Sequence, residues 1–339
     1  MKNILKSAVL AVLMLALLAA CGTTSNDPAA NGTNSVSNET GNETANETKT
    51  ITISHALGDT EITGIPKRIV ALDFRYVEEL TALGITPVGV GDFTGYENFV
   101  GHDMELLKAN AIDVGKRSEP NLELIVQLKP DLIIGNSSFM GENYKLLNDI
   151  APTLAFEPYP DAGLDQYEEM EQTFLKVASA VDKQAEAEQV LADLNGHYEE
   201  LKQTLAEHGK GGAPFVLGLL RNNNDAASVR LYARNAQASG ILQKLGLNLV
   251  FHSEEAAAFG TADSTVEALA AYQDANFLYM LNPGQETVVT DLFKNNPVWS
   301  SLKFVQEGRA YPMEKYVWQF GGPQTAREFA DLAVKAIIS

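Results

Sequence analysis

The chain has 339 residues and carries 25 Lys and Arg against 44 Asp and Glu, a formal net charge of −19. At about 100–200 residues per domain, this length fits two domains better than one. Such strong acidity argues against nucleic-acid binding, which needs clustered Lys and Arg to neutralise phosphates. The single cysteine excludes an internal disulfide and any zinc or iron–sulfur site built from several cysteines.

Residues 1–20 predict an export signal. Lys2 and Lys6 form a short positive region, and the apolar run 8–20 is shorter than the about 20 residues that a membrane span needs. The run ends in Leu-Ala-Ala-Cys, which resembles a bacterial lipoprotein box. This resemblance implies that Cys21 becomes the mature N-terminus and carries a diacylglycerol anchor. A buried structural cysteine is the alternative, and the position directly after a signal core disfavours it.

Residues 21–49 predict a disordered tether. From residue 22 onward this segment contains no aromatic side chain and is dense in Asn, Thr, Ser, Gly and Glu, so it cannot bury enough apolar surface to offset its ordering entropy. The repeated triplet Asn-Glu-Thr also matches a glycosylation acceptor, but a solvated linker is favoured beside a lipid anchor. We therefore expect a globular body held at the outer face of a Gram-positive type cell membrane.

From Thr50 onward, short apolar strands alternate with amphipathic helices that end at Gly or Pro. This alternation is the βαβ signature and predicts the α/β class. The predicted strands and helices are, in chain order, strand 68–74, helix 76–83, strand 87–91, helix 121–128, strand 131–135, strand 215–220, helix 238–245, strand 248–251, helix 266–272 and strand 276–281.

The two halves of this body share a pattern. The stretch Leu-Thr-Ala-Leu-Gly-Ile at 80–85 matches Leu-Gln-Lys-Leu-Gly-Leu at 242–247, and Asn-Leu-Glu-Leu-Ile at 121–125 matches Thr-Val-Glu-Ala-Leu at 265–269. Both matches occur in the same order, which predicts two similarly built α/β lobes.

The segment 165–208 separates the halves and is almost free of Gly and Pro. Its apolar residues recur at helical spacing, and it holds too few clean heptads for a coiled coil, so it predicts a long interlobe helix. The predicted organisation is a lobe at 50–164, the helical segment, and a lobe at 209–339. A ligand cleft between the lobes follows from this layout.

Catalytic and metal motifs are absent from the sequence. It contains no G-x-S-x-G, Walker A or H-E-x-x-H pattern. The histidines have no i, i+4 pair that would hold a metal; they are His55, His102, His197, His208 and His252. The sequence therefore predicts a binding protein, with no cofactor and no metal site of its own, in preference to an extracellular enzyme on a small anionic substrate.

Several stretches resemble the ferric-siderophore-binding lipoproteins of ABC importers. They include Ile-Pro-Lys-Arg-Ile-Val-Ala-Leu at 65–72, the run 113–123, and Leu-Lys-Pro-Asp-Leu-Ile-Ile at 128–134. Asn-Asn-Pro-Val-Trp at 295–299 and Trp-Gln-Phe-Gly-Gly-Pro at 318–323 are similar to the iron(III)-citrate-binding branch of Bacillus-like bacteria. The resemblance implies a monomer with two α/β lobes joined by a long helix. It also implies a ligand of Fe(III) held within a siderophore, and delivery to an ABC permease.

The resemblance implies permease-docking roles for Glu123 and Glu267, one in each lobe. Each glutamate lies two residues after a predicted N-cap, Asn121 or Thr265. An acid in that position can instead simply stabilise its helix by about 0.3–1 kcal/mol. The same helix position in both lobes favours docking, because exposed charge pairs steer encounter.

For the ligand, the resemblance places Arg117 in the pocket, where a guanidinium binds carboxylates through its planar fork. Arg230 and, more weakly, Arg221 and Arg75 are further candidates, with surface salt bridges as the alternative for each. Among aromatic residues, Trp318 and Tyr96 are predicted to lie in cleft-facing loops.

Two departures from the citrate-type pattern bear on the ligand. Phe139, which is itself a candidate ligand-binding residue, stands where many of those proteins carry an arginine. Gln319 and Phe320 replace arginines expected near the last loop. Fewer cations suit a less anionic complex, such as a citrate-hydroxamate siderophore. Cobalamin or haem binding by the same fold remains an alternative.

Overall fold

A computed structural model of the chain describes residues 49–159, 164–251 and 259–339. The predicted signal peptide, Cys21 and the predicted tether up to residue 48 lie outside the described residues, as does His252. Within the described ranges, no helix combines the length and the apolar character that a membrane crossing requires.

The first lobe is built on a five-stranded parallel sheet with strand order β5-β4-β3-β6-β7. Its central strands are fully buried apolar runs, as expected for a parallel sheet covered by helices on both faces. An antiparallel hairpin, β1–β2, packs Ile53 and Ile62 into the same core. The elements are β1 (Thr50–His55), β2 (Gly58–Thr63), β3 (Ile69–Ala71), α1 (Phe74–Ala82), β4 (Gly89–Val90), α2 (Phe93–Phe99), α3 (Met104–Asn110), β5 (Ile112–Asp113), α4 (Leu122–Leu128), β6 (Leu132–Asn136), α5 (Ser137–Met140), α6 (Asn143–Ile150) and β7 (Thr153–Phe156).

The second lobe is built on a mixed sheet with strand order β11-β9-β8-β12-β13, and β10 pairs in parallel with the start of β8. Strands β8, β12 and β13 run parallel, whereas β9 is antiparallel to both β8 and β11. The elements are β8 (Pro214–Asn223), β9 (Ala226–Tyr232), α9 (Gln237–Lys244), β10 (Asn248–Leu249), β11 (Thr261–Thr265), a 3₁₀ helix (Glu267–Tyr272), β12 (Asn276–Leu281), α10 (Glu286–Lys294), α11 (Pro297–Ser301), α12 (Lys303–Gln306), β13 (Ala310–Pro312) and α13 (Pro323–Ile338).

The segment between the lobes consists of two helices, α7 (Gln166–Ala180) and α8 (Gln184–Glu207). Asp182 lies between them in a left-handed conformation with φ of 56°, so the predicted interlobe helical segment is divided into two helices there. Helix α7 crosses from lobe to lobe. Its Tyr167 and Met170 lie in the core of the second lobe, and Phe174 and Val177 lie in the core of the first.

The predicted internal similarity extends to backbone geometry. Gly84 after α1 and Gly246 after α9 have φ of 75° and 76°, values that glycine adopts without strain. The following residue closes the same turn in each lobe: the Ile85 N–H donates to the Leu80 carbonyl at 2.9 Å, and the Leu247 N–H donates to the Leu242 carbonyl at 3.0 Å. The two lobes therefore share a helix-ending motif as well as a fold class.

Candidate functional site

The carboxyl ends of the first lobe's parallel strands carry the polar residues of the candidate site. Asp73 follows β3, Asp92 follows β4, and Asn136 ends β6. In open α/β sheets, ligands bind at this edge because the strand-to-helix loops project there. Arg117, in the loop between β5 and α4, reaches the same edge.

Arg117 is held in place by an acid and by aromatic rings. Its Nη1 donates to Asp73 Oδ2 at 3.2 Å, and its Nε lies 4.0 Å from Asp92 Oδ2. The guanidinium carbon stands 3.9 Å from the centroid of the Phe74 ring and 5.0 Å from that of Phe139. Because 18% of the side chain remains exposed, this oriented cation is still accessible.

Asp73 is the buried partner that fixes this cation. Its carboxylate also accepts a hydrogen bond from the Arg75 amide at 3.3 Å, which caps the N-terminus of α1. Burial raises the pKa of Asp73 above its usual range, and the Arg117 charge opposes that effect. The same side chain therefore starts α1 and orients Arg117.

Aromatic rings from both lobes form a continuous wall beside Arg117. The Trp318 ring centroid lies 5.5 Å from those of Phe74 and Phe99, and 5.7 Å from that of Phe320. We call this set the aromatic wall; its members are Phe74, Phe99, Phe139, Tyr159, Phe259, Tyr316, Trp318 and Phe320. The indole Nε1 of Trp318 is buried and has no hydrogen-bond partner among the described residues.

Arg221 and Arg230 lie together on the second lobe. The strand register makes them diagonal neighbours on one face of β8 and β9, and places Asp263 of β11 directly opposite Arg230. Both guanidinium groups donate to Asp263 Oδ1 at 2.9 Å. The hydrogen bond from Arg230 lowers the pKa of Asp263. About a third of each arginine side chain is exposed, so both remain accessible.

Tyr316 is the member of the aromatic wall on which the charge of Arg230 acts. Burial raises its pKa to about 12, and the nearby Arg230 charge opposes that effect. The Tyr316 ring lies 6.4 Å from the Phe99 ring of the first lobe. The charge of Arg230 therefore acts on a ring of the wall that Arg117 faces from the other lobe.

Two predicted site residues are placed differently by the structure. Tyr96 was expected in a cleft-facing loop, but Asp92 caps helix α2 by accepting from the Gly95 amide, and this helix turns Tyr96 into the core with 0% exposure. The exposed ring of α2 is Phe99, at 36%. Arg75 is likewise fully buried, and its guanidinium bonds to Glu169. The structure thus corrects Tyr96 to a core residue and Arg75 to a cation enclosed between the lobes.

Glu123 and Glu267 are both exposed in the first turn of their helices. The predicted cap Asn121 is present and accepts from the Leu124 amide at 3.0 Å. In the second lobe the N-cap is Val266, one residue after the predicted Thr265, although Thr265 Oγ1 accepts from the Ala268 amide at 3.4 Å. Hydrogen bonds from its own backbone and from Thr265 lower the pKa of Glu267. This geometry is compatible with both interpretations, docking and helix stabilisation.

Contacts that the sequence did not indicate lie behind the aromatic wall. Glu78 of α1 accepts from the amide of Gly322 and from the hydroxyl of Thr325, and Gln237 of α9 donates to the Gly321 carbonyl. No local sequence pattern marks these pairs, because Glu78 is 244 positions from Gly322.

A separate concavity of about 610 Å³ borders Tyr159 and is lined by His55, Glu157 and Lys176 among others. None of the predicted ligand residues lines it. Across the described ranges, no group of three or more His, Cys, Asp and Glu side chains is arranged to hold a metal ion.

Comparison with known proteins places these features in context. A family model described as periplasmic binding protein matches residues 69–317. The Fe(3+)-citrate-binding protein YfmC of Bacillus subtilis (strain 168) is 30% identical over 334 residues, covering 97% of this chain and 96% of that protein. The iron(3+)-hydroxamate-binding protein FhuD of Escherichia coli (strain K12) is 29% identical over 272 residues, covering 80% of this chain and 87% of that protein.

Among solved structures, the siderophore-binding protein FhuD from Vibrio cholerae, crystallised with bound Fe3+–Desferal, superposes with a TM-score of 0.70 at 27% identity. The match covers 80% of this chain and 98% of that one. This similarity confirms the predicted fold class, two α/β lobes joined through a helix.

Proposed function

The chain belongs to the family of periplasmic binding proteins, and from that premise we propose that it captures a ferric siderophore outside the cell and delivers it to an ABC permease. Membership makes the chain a substrate-binding protein and not an enzyme, as the sequence predicted. The observation that carries the proposal is an oriented, accessible Arg117 set against the aromatic wall.

The aromatic wall suits the bulky organic shell of a siderophore. Flat rings from both lobes supply apolar contact area, while a few polar groups fix the orientation of the ligand, as is usual in small-molecule sites. Arg117, which remains accessible, is the donor for the negatively charged oxygens around the iron. The siderophore holds the iron, so the protein needs no metal ligands of its own.

The charge balance of the cleft favours a complex of low net charge. The accessible arginines Arg117, Arg221 and Arg230 are matched by carboxylates, namely Asp73, Asp92 and Asp263. In a hydroxamate complex, three singly charged hydroxamates balance the charge of the ferric ion. We therefore propose a hydroxamate or citrate-hydroxamate siderophore as the ligand. The relative that binds iron(3+) hydroxamate supports this choice.

Ferric citrate is the second candidate. Arg221 and Arg230 share the single carboxylate of Asp263, which leaves positive charge on the second lobe for a citrate carboxylate. The relative that binds Fe(3+)-citrate is 30% identical over nearly the whole chain, which also favours this candidate.

We further propose that Glu123 and Glu267 meet basic residues of the permease. Glu267 borders an open concavity of about 730 Å³ that Asp225, Val288 and Asp291 also line. A concavity lined by acidic and apolar side chains is complementary to an arginine-bearing loop, and a helix-stabilising acid would not need such a setting. We also propose that a lipid on Cys21 holds the monomer at the outer face of the membrane, with residues 21–49 as the tether.

Tryptophan fluorescence tests the ligand site. The chain has two tryptophans, Trp318 in the aromatic wall and Trp299 in the core of the second lobe. We expect Fe(III)–Desferal or ferric citrate to quench the protein's emission. Quenching should be lost in Trp318→Phe and retained in Trp299→Phe, the matched control. Saturable binding measured by calorimetry with equal quenching in both variants would place the ligand elsewhere, and no binding of either complex would refute the proposal.

A further inference from the structure

The loop that carries Trp318 and Phe320 is held at three consecutive residues by side chains from two helices. Arg75 Nε donates to the Phe320 carbonyl at 2.8 Å, and Gln237 Nε2 donates to the Gly321 carbonyl at 2.8 Å. The Gly322 amide donates to Glu78 Oε2 at 3.0 Å. Two of these three contacts come from α1, which belongs to the other lobe.

The three side chains are buried, and the two contacts from α1 are made by ionisable groups, Arg75 and Glu78. Arg75, Glu78 and Gln237 are almost fully inaccessible to solvent. Glu78 also accepts from the amide and from the hydroxyl of Thr325, in the first turn of α13, where the helix dipole favours a negative charge. Hydrogen bonds of charged groups in such surroundings are stronger and shorter than exposed ones.

The two glycines allow this close approach. A Cβ on Gly321 would clash with the side chain of Thr325, and a Cβ on Gly322 would lie 3.1 Å from Glu79 Cγ. Helix α1 also supplies Phe74, whose ring packs against Trp318 at 5.5 Å. One helix of the first lobe therefore both holds the loop backbone and contacts its tryptophan.

We propose that Arg75, Glu78 and Gln237 are positioning residues that set Trp318 and Phe320 in the ligand-binding wall. This proposal rests on the proposed function, because it assigns these residues a role in affinity for the siderophore. It replaces the predicted ligand contact of Arg75 with an indirect role through the Phe320 carbonyl.

The test uses the variant Glu78→Gln, which keeps the side-chain size and replaces one carboxylate oxygen with an N–H donor that faces other donors. Glu79→Gln is the matched control. Glu79 is the next residue on α1 and is equally buried, and its carboxylate oxygens have no hydrogen-bond partner among the described residues. Both variants are made in a Trp299→Phe background, so that Trp318 is the sole tryptophan.

Two readouts decide the question. Acrylamide quenching of Trp318 without ligand should increase in Glu78→Gln, and the dissociation constant for Fe(III)–Desferal should rise about tenfold, the loss expected for one charged hydrogen bond. Glu79→Gln should leave both unchanged. A lower melting temperature for Glu78→Gln with unaltered quenching and affinity would overturn the proposal, because a merely structural role predicts that result.

A milder variant guards against loss of folding. Thr325→Val removes only the hydroxyl that donates to Glu78 at 2.7 Å, and it should shift both readouts in the same direction by a smaller amount. If Glu78→Gln does not fold, an unchanged Thr325→Val overturns the proposal. If the parent protein binds neither Fe(III)–Desferal nor ferric citrate, the proposed function fails, whereas quenching in the ligand-free protein still decides whether the loop is positioned.

Discussion

Replacing Asp263 with Asn should change which ferric complexes the protein prefers without changing its fold. Asp263 is the carboxylate shared by Arg221 and Arg230, and 68% of its side chain is exposed. Exposed ion pairs contribute about 0–1 kcal/mol each, so the free energy of unfolding should change little. Removing the carboxylate leaves the positive charges of Arg221 and Arg230, on β8 and β9, without a neutralising partner.

The size of the effect follows from Coulomb's law. At a separation of about 8 Å and an effective dielectric constant of about 40–80, one added unit of charge alters binding by about 0.5–1 kcal/mol per ligand charge, or about two- to sixfold in affinity. The anionic ferric citrate should therefore bind more tightly, and Fe(III)–Desferal, which carries a cationic ammonium, should bind more weakly. Calorimetric titrations at low and high salt measure both affinities, and the difference should shrink with salt.

Asp274→Asn is the matched control for this prediction. It removes the same charge from another exposed aspartate, which pairs with Lys303 at 2.6 Å outside the proposed ligand site. Neither ligand should respond to it. If Asp263→Asn shifted both ligands in the same direction, or behaved like Asp274→Asn, then Arg221 and Arg230 would not face the ligand and the charge argument would be wrong.

Three further predictions concern the ligand site, the interlobe core and the docking surface. Arg117→Lys should weaken Fe(III)–Desferal binding about tenfold in calorimetry. The lysine ammonium is not planar, so it can neither stack on the Phe74 ring as the guanidinium does nor offer a ligand two parallel N–H donors. Burial raises the pKa of Glu79 well above its usual value of 4.5, so the folded state binds a proton that the unfolded state releases, and stability falls as pH rises above 4.5. Glu79→Met should remove this loss, and its advantage in urea unfolding should grow by about 1.4 kcal/mol per pH unit until the folded-state pKa is reached. Glu123→Ala with Glu267→Ala should abolish siderophore-dependent iron uptake by cells and leave the affinity of the purified protein unchanged.

Specific outcomes would contradict each of these. Unaltered affinity in Arg117→Lys would remove Arg117 from the ligand site. A stability difference for Glu79→Met that does not vary with pH would mean that Glu79 is ionised in the folded protein. Normal uptake by the double glutamate variant would favour the helix-stabilising interpretation of Glu123 and Glu267.

Local patterns were sufficient to predict several of the central strands and helices and the helix-ending turn that the two lobes share. Gly84 and Gly246 end their helices in matching turns because a glycine after an amphipathic run is itself the signal. Asn276–Leu281 forms a strand with the predicted bounds, since its apolar run is buried along most of its length. These features depend on residues close together in the chain.

The errors arose where long-range contacts decide the outcome. Arg75 is enclosed by Glu169, Gln237 and Phe320, which lie 94, 162 and 245 positions away, so no local pattern distinguishes it from an accessible arginine. Tyr96 was assigned to a loop because of the glycines around it. Asp92 instead initiates a short helix there, and the fold then selects which of its rings is exposed.

Helix α7 limits how independently the two lobes can evolve, because it contributes side chains to both cores. It places Tyr167 and Met170 in one core and Phe174 and Val177 in the other, all within about three turns. Neither lobe could be exchanged, truncated or expressed alone without exposing the apolar side chains of α7 that pack into the other lobe. If the lobes descend from a duplicated ancestor, this shared helix is the element that prevents them from separating again. Recombination breakpoints that preserve a folded protein should therefore fall outside α7.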